Sequence, residues 1–174
     1  MDTSEHCKEV YAYFGLAMYR AQCVEQSIVQ LLIFFDFFTE NASKFRTSNE
    51  WEKDFDSFDK ALSKKTMGNL LGLIKELGIL DDDIESILSL SLKKRNWLAH
   101  TYFADRALDF INEVGRNKMI KELEEVIEIF NSVEEALQPM SKSAALKYGL
   151  TDEVLDKIKR EMIESVENDR NDTY

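Results

Sequence analysis

Apolar side chains recur along the first forty residues with alternating gaps of four and three positions. Such spacing is typical of an α-helix that turns one apolar stripe toward a core. The stripe, between Glu5 and Phe38, consists of Val10, Phe14, Ala17, Ala21, Val24, Ile28, Leu31, Phe35 and Phe38. Further apolar residues broaden it, namely Tyr13, Leu16, Met18, Leu32, Phe34 and Phe37. The pattern predicts a long, central first helix that is buried on much of its circumference or serves an oligomer interface as well as a core.

Two shorter helices are predicted next, each from a polar capping residue. The polar run 47–49 can cap a helix over about 50–62. Ser63 or Thr66 can start the following helix, and Gly78 can close it, because glycine readily adopts the backbone conformation that ends a helix.

A fourth helix is predicted from about Asp82 through Tyr102. The acidic run 81–83 places negative charge at its N-terminus, where the backbone dipole favours it. Three consecutive carboxylates point in different directions, so capping is favoured over a metal site for this run. The apolar positions of this helix are Ile84, Ile87, Leu88, Leu92, Leu98 and Ala99.

The last third of the chain predicts a second long helix and a terminal one. Residues 104–111 have an ambiguous pattern and are expected to form a loop or short turn. Asn112 can cap the long helix and Pro139 is expected to end it, because proline lacks the N–H that a helix interior needs. Its stripe consists of Met119, Leu123, Val126, Phe130, Val133 and Leu137. Thr151 can cap the terminal helix, whose apolar positions are Leu155, Ile158, Met162 and Val166.

These elements predict an all-α protein in which two long and several short helices pack as an antiparallel bundle. Hydrophobic residues make up 44% of the 174 residues and charged residues 32%, with one proline and six glycines. This composition favours a packed helical protein over a disordered or β-rich one. With no internal repeat and no long linker, 1–174 is predicted as one domain. Its bundle core spans about 5–138, its C-terminal helix about 151–166, and its tail, 167–174, is expected to fray.

The net charge of −11 narrows the functions open to the chain. A broad basic surface that coats nucleic acid needs many cations, so that mode of binding is disfavoured. Any contact with RNA must therefore be local. The densest basic cluster is Lys93-Lys94-Arg95, whereas Lys64-Lys65 is better explained as a solvated helix face.

The cysteines and the N-terminus predict a cytoplasmic protein. Cys7 and Cys23 are the only cysteines, and on one helix they would lie about 24 Å apart, too far for a disulfide. Two free thiols suit a reducing compartment. The acidic and polar run 1–5 does not resemble a signal peptide, and the apolar run 31–35 is too short to span a membrane, so no membrane partner is expected.

Nearly all the chemistry that the sequence offers lies in the segment 93–103. His100 is one of two histidines and can exchange protons near neutral pH. Arg95 is a permanent cation whose planar fork matches phosphate oxygens. Asn96 lies one helical turn before His100 and on the same face, but Arg95 and His100 diverge by about 140° on an ideal helix. They could meet at one phosphate through the reach of arginine, a local bend, or a second copy of the chain.

This segment resembles the signature of the HEPN superfamily (higher eukaryotes and prokaryotes nucleotide-binding). In that signature an arginine, often followed by a polar residue, precedes a histidine by a short interval, as Arg95-Asn96 precedes His100. Tyr102 completes an Arg-x4-His-x-Tyr form similar to the toxin member of paired HEPN/MNT toxin–antitoxin systems, or to an abortive-infection HEPN protein. The resemblance implies a helical bundle, a homodimer with its active cleft at the interface, metal-independent RNA cleavage, and a nucleotidyltransferase-type antitoxin that modifies the tyrosine.

A metal-free cut of RNA through the 2′-hydroxyl needs a proton acceptor, a proton donor and positive charge at the phosphorane. His100 is predicted to fill one proton role and Arg95 to neutralise the phosphate, because arginine stays protonated and cannot be the base. Asn96 would orient the histidine or a phosphate oxygen. One catalytic histidine per chain leaves the second proton role to a symmetric partner. Lys93 and Lys94 are predicted to contact RNA.

Two further residues are candidates for the site. Tyr102 is assigned to the site through its hydroxyl, with packing as the alternative for a tyrosine at the end of an apolar helix. Glu25, in the middle of the first helix, is a candidate supporting group.

Other functions remain open or are disfavoured. The alternative to a nuclease is a non-catalytic HEPN bundle that binds a nucleotide, RNA or protein partner, in which His100 packs against Trp97 or the first helix. No zinc-ligand spacing joins the histidines and cysteines, and Gly68, Gly72 and Gly78 do not form a phosphate-binding loop. Neither a cofactor nor a metal is therefore expected.

Overall fold

The computed structural model of the protein describes residues 3–44 and 46–171, and all regular structure within them is helical. The elements are α1 (Thr3–Leu32), a π-helical turn (Ile33–Phe38), α2 (Thr39–Asn41), α3 (Ser48–Leu62), α4 (Met67–Glu76), α5 (Asp82–His100), α6 (Tyr102–Asp105), α7 (Ala107–Phe110), α8 (Glu113–Lys147) and α9 (Asp152–Asn171). The predicted all-α helical bundle is confirmed.

The helix caps lie where the polar residues predict them. Thr47 forms a capping box with Glu50 at the start of α3, and Thr66, not Ser63, caps α4. Asp81 caps α5 by accepting from the backbone N–H of Ile84 at 2.8 Å. Each cap satisfies backbone N–H groups that have no partner inside the helix. The boundaries of these three helices therefore follow from local chemistry.

The first helix differs from the prediction by a π-helical turn at Ile33–Phe38, which continues α1 into α2. A π turn holds an extra residue and rotates the side chains that follow it. Phe34 stacks on Tyr148 near the end of α8 at 6.1 Å, whereas Phe37 contacts three aromatic rings of α3. The turn thus lets neighbouring phenylalanines reach two different helices.

The prediction that Pro139 ends the second long helix is wrong, because α8 continues to Lys147. Proline removes one helical hydrogen bond, which would have gone to the carbonyl of Glu135. Pro139 and Glu135 are both exposed, so water can replace that bond. Beyond the proline, Ala144 and Ala145 are buried with Phe34, and this packing holds the extra turns in place.

Helices α1 and α8 run parallel and form the largest packing contact of the bundle. Arg20 pairs with Glu134 at 3.5 Å, and further along both helices Phe34 meets Tyr148. Residue numbers therefore rise together on the two helices, so the antiparallel arrangement predicted for the bundle does not extend to this pair. Helix α5 packs against both.

Helix α5 runs antiparallel to α1. Glu25 of α1 pairs with Arg95, whereas the earlier Phe14 stacks on Tyr102 just beyond the end of α5. This direction brings the C-terminal half of α5, with its predicted chemistry, beside the part of α1 between Phe14 and Glu25.

The core lies between α1, α4, α5 and α8, and the predicted stripes of both long helices supply most of it. Fully buried side chains include Val10, Ala17, Val24, Ile28, Leu31, Ile74, Leu88, Met119, Leu123, Phe130 and Val133. Burying one large apolar side chain contributes about 1.5–3 kcal/mol, so these stripes dominate the stability of the bundle.

Helix α9 extends to Asn171, five residues beyond its predicted end. Thr151 caps it as predicted, by accepting from the backbone N–H of Val154 at 3.4 Å. Its predicted apolar positions Leu155, Ile158, Met162 and Val166 are exposed rather than packed on the bundle. Of the tail that was expected to fray, 172–174 lie outside the described residues.

One helical run, Thr3–Asn41, is long and apolar enough to cross a membrane by length and composition alone. The core helix of a bundle meets the same criterion. In the structure, the apolar stripe of this run packs against α4, α5 and α8. The predicted absence of a membrane partner stays a prediction.

The corner between α7 and α8 is tightly packed around Gly115. Its backbone N–H donates to the capping oxygen of Asn112 at 2.8 Å, and the next residue, Arg116, donates to the carbonyl of Phe110 at 2.9 Å. A Cβ on Gly115 would overlap the backbone of Asp109, including its carbonyl oxygen. By contrast, a Cβ on Gly72 of α4 would meet no atom within 4 Å.

Two glycine-to-alanine changes should therefore have opposite effects on stability. Gly115→Ala should lower the free energy of unfolding by about 1–3 kcal/mol through overpacking. Gly72→Ala should raise it by about 0.5–1 kcal/mol, because alanine loses less backbone entropy in a helix. Urea unfolding followed by circular dichroism measures both. Equal effects of the same sign would contradict the packing of this corner.

Candidate functional site

Arg95 lies on α5 facing α1, with its side chain 27% exposed. Its Nε donates to Glu25 Oε1 at 3.0 Å, and its Nη1 donates to Asn96 Oδ1 at 3.3 Å. The structure therefore brings together three residues that the sequence singled out, including Glu25, which lies 70 positions away in the chain. The carboxylate holds one edge of the guanidinium, and the amide of Asn96 contacts another.

His100 is the last residue of α5, and its side chain is exposed. Among the described residues, it has no hydrogen-bond or ion-pair partner. It therefore does not pack as a core histidine against Trp97 or the first helix. A helix C-terminus favours positive charge, so this position suits a histidine that gains a proton during a reaction.

The relative directions of Arg95 and His100 follow from the regularity of α5. The helix is continuous from Asp82 to His100, so the local bend considered from the sequence is not present. At 100° per residue, five positions separate the two side chains by about 140°. Arg95 faces α1, whereas His100 faces away from the core. Within one chain, only the length of the arginine side chain remains to bring them together.

Four residues form a stripe on the outer side of α5: Lys93, Asn96, Trp97 and His100. Their spacing of three, four and seven positions places them on one helical face. Lys93, Asn96 and His100 are exposed, and Trp97 is half-buried. The ammonium of Lys94 lies 5.3 Å from the centre of the Trp97 ring. Cations and an aromatic ring thus share this side of α5 with the predicted catalytic histidine.

The side of Arg95 that faces α1 is lined by carboxylates. A groove of about 840 Å³ runs over the exposed face of α1, and Glu25 contributes to its wall. Its lining includes the carboxylates of Glu25, Asp59 and Glu134 and contains neither lysine nor arginine. Two of these carboxylates are paired with arginines, Glu25 with Arg95 and Glu134 with Arg20.

The structure corrects the assignment of Tyr102 to the site. Its ring is 1% exposed, stacks on Phe14 at 5.7 Å and meets the edge of Trp97 at 4.8 Å. Its hydroxyl donates to the carbonyl of Met119 at 3.3 Å. Burial, and next the negative charge of Glu122, raise the pKa of Tyr102 well above its ordinary value. Tyr102 is a packing residue that joins the end of α5 to α8.

Sequence reasoning missed Asp105 and Arg106. Asp105 accepts hydrogen bonds from Trp97 Nε1 at 2.8 Å and from Thr101 Oγ1 at 3.1 Å. Arg106 pairs with Glu122 of α8 and lies 5.4 Å from the centre of the Trp97 ring. A spacing of four separates Trp97, Thr101 and Asp105, which is the signal that could have identified them. The sequence predicted a loop over 104–111, whereas the structure has helices α6 and α7 there. Asp105 was therefore not expected to share a helical face with Trp97 and Thr101.

Within residues 3–44 and 46–171, no three His, Cys, Asp or Glu side chains lie close enough to share a metal ion. Cys7 and Cys23 are both free thiols on α1.

Compared with known proteins, the chain matches no protein-family model, no curated protein and no solved structure. The evidence for the candidate site therefore comes from the positions of its residues alone.

Replacing Tyr102 with phenylalanine should separate packing from chemistry. Tyr102→Phe removes one buried hydrogen bond and should lower the free energy of unfolding by about 0.5–1.5 kcal/mol at neutral pH. Because the pKa of Tyr102 is raised, the folded state favours the neutral phenol. The resulting stabilisation of the folded state is complete below the unfolded-state pKa of 10.0 and decreases as the pH rises above it. At pH 11 the wild type should therefore have lost about 1.4 kcal/mol that the variant does not lose.

Urea unfolding of both proteins at pH 8, 10 and 11 measures this difference. The exposed Tyr11→Phe serves as the matched control and should leave the pH dependence unchanged. If Tyr102→Phe lost stability with pH as steeply as the wild type, the hydroxyl would not be buried as described.

Proposed function

We propose that this protein is a metal-independent endoribonuclease of HEPN type that acts as a homodimer in a toxin–antitoxin or phage-defence role. The observation that carries the proposal is the disposition of Arg95 and His100 on α5. Both side chains reach solvent, yet they face directions about 140° apart on an unbroken helix. A site that needs both groups at one phosphate is best completed by a second copy of the same helix.

The proposed reaction is attack of a 2′-hydroxyl on the adjacent phosphate. One copy of His100 removes the proton of the 2′-hydroxyl, and the other copy gives a proton to the leaving 5′-oxygen. The bond from phosphorus to the 5′-oxygen breaks as the bond to the 2′-oxygen forms, leaving a 2′,3′-cyclic phosphate and a 5′-hydroxyl. Arg95 offsets the charge that develops on the phosphorane.

The surroundings of His100 support a local contact with RNA on a protein of net charge −11. Lys93 and Lys94 supply cations on the outer side of α5, and Asn96 can donate to a phosphate oxygen. Because few cations are involved, binding should be weaker and less dependent on salt than binding by a broad basic surface.

The HEPN resemblance extends the proposal to a nucleotidyltransferase-type antitoxin as a partner in the cytoplasm. In the related pairs the antitoxin modifies the tyrosine that matches Tyr102. Here the buried hydroxyl of Tyr102 donates to Met119, so we do not extend the proposal to modification of this residue.

One observation favours the alternative, a non-catalytic HEPN bundle that binds a nucleotide, RNA or protein partner. Glu25 pairs with Arg95 at 3.0 Å and already offsets its charge. The two side chains are 27% and 22% exposed, so a phosphate would have to displace Glu25 to reach the Nε edge of the guanidinium. Cleavage assays decide between the two functions.

The first test is cleavage of a mixed cellular RNA pool in EDTA. The wild type should produce 2′,3′-cyclic phosphate and 5′-hydroxyl ends. His100→Ala and Arg95→Ala should lower the rate by about 10²–10⁴-fold, because each removes a group that acts only in the transition state. Arg160→Ala, which removes a cation from exposed α9, is the matched control and should cleave normally.

Intact RNA at stoichiometric wild-type protein, in a reaction where a control nuclease cuts, would contradict the proposed activity. Cleavage that persists in both site variants would show that the activity comes from elsewhere. Circular dichroism of each variant should show the same helical content as the wild type, which verifies that the variant is folded.

The second test concerns the shared cleft. Wild-type and His100→Ala proteins are mixed in equal amounts, at constant total protein, under conditions that allow subunits to exchange. A mixed dimer keeps only one of the two histidines that the reaction needs, so the activity should fall to about a quarter of that of the wild type alone. Mixing the wild type with Arg160→Ala is the control and should leave the activity unchanged. A fall to only about half, when mass spectrometry detects mixed dimers, would contradict a composite site, because each chain would then act independently.

A further inference from the structure

His100 has no side-chain partner of its own among the described residues. The position of its imidazole therefore depends on the backbone of the last turn of α5. This turn lies next to Thr101, whose backbone leaves the helical conformation with φ −132° and ψ −11°. Helix ends fray unless other groups hold them. Whatever holds this turn also holds the imidazole.

A single carboxylate oxygen spans the turn. Asp105 Oδ2 accepts from Trp97 Nε1 at 2.8 Å and from Thr101 Oγ1 at 3.1 Å. The two donors lie three residues before His100 and one residue after it. The backbone N–H of Thr101 also donates to the carbonyl of Trp97 at 3.0 Å. The turn that carries His100 is therefore closed both by its backbone and by Asp105.

Asp105 is itself held by the core. It ends α6, whose first residue, Tyr102, is buried against α1 and α8. The next residue, Arg106, forms two hydrogen bonds with the carboxylate of Glu122 on α8. Charge-assisted bonds with two contacts fix direction as well as distance. These contacts fix the position of Asp105, whose carboxylate in turn holds Trp97 and Thr101.

We propose that Asp105 is a positioning residue for His100, acting through Trp97 and Thr101 rather than on the RNA. This inference rests on the proposed function, because it assigns Asp105 to the same reaction. The carboxylate contributes by accepting two hydrogen bonds in a fixed geometry. The carbonyl oxygen of asparagine can accept the same two hydrogen bonds, so Asp105→Asn should retain the positioning role.

The test compares three variants in the EDTA cleavage assay. Asp105→Ala should lower kcat by about 10- to 100-fold with little change in KM, because a small displacement of a catalytic group has effects of this size. Asp105→Asn should stay close to the wild type. Asp56→Ala is the matched control, because Asp56 is an exposed carboxylate on α3, which packs on the π-helical turn rather than on α5.

A merely structural role would lower the amount of folded Asp105→Ala without changing kcat per folded molecule. Wild-type kcat in folded Asp105→Ala, or an equal loss in Asp105→Asn, would overturn the proposal. If Asp105→Ala does not fold, Thr101→Val removes one of the two donors and should lower kcat in the same direction. An unchanged kcat in that variant would likewise overturn it.

Amide hydrogen exchange at Thr101 separates this inference from the proposed function. Exchange should be at least about tenfold faster in Asp105→Ala than in Asp105→Asn, because the turn then opens more often. If the wild type does not cleave RNA, the proposed function fails, and faster exchange still supports the positional link. Unchanged exchange in Asp105→Ala would refute that link whether or not RNA is cleaved.

Discussion

Burial of the apolar stripe of α1 against α8 is the interaction on which the rest of the molecule depends. Fully buried residues such as Ala17, Val24 and Ile28 of α1 share one core with Met119, Leu123 and Phe130 of α8. The two long helices run parallel, and α5 packs on both and runs antiparallel to α1. The C-terminal end of α5 therefore lies beside Phe14 in the first half of α1.

The same packing sets the charges on the two sides of Arg95. On the α1 side, Glu25 pairs with Arg95 and lines a groove with further carboxylates. The outer side of α5 carries Lys93 and Lys94, and the carboxylate of Asp105 lies beside the last turn of the helix. Because the approach of a polyanion depends on the summed field, RNA binding under the proposed function is confined to a small area of a chain of net charge −11.

Two kinds of support surround the end of α5. Tyr102 joins it to the core through burial and one hydrogen bond, whereas Asp105 and Arg106 fasten its last turn through charged groups. Apolar burial stabilises the fold without specifying direction, and hydrogen bonds to a carboxylate specify direction at modest gain in stability. An exposed histidine needs both, because it has no hydrogen-bond or ion-pair partner among the described residues that would hold it.

The sequence by itself determined features that arise within a few residues of one another. Helical stripes, the polar segments that contain the caps of α3, α4 and α5, and the divergence of Arg95 from His100 all follow from local geometry and hydrogen bonding. Tertiary structure decided the pairing of Glu25 with Arg95, the burial of Tyr102, and the passage of α8 through Pro139. Each of these depends on energies contributed by residues far apart in the chain, where packing overrides local preference. Local patterns carry no information about which distant carboxylate or aromatic ring will be adjacent.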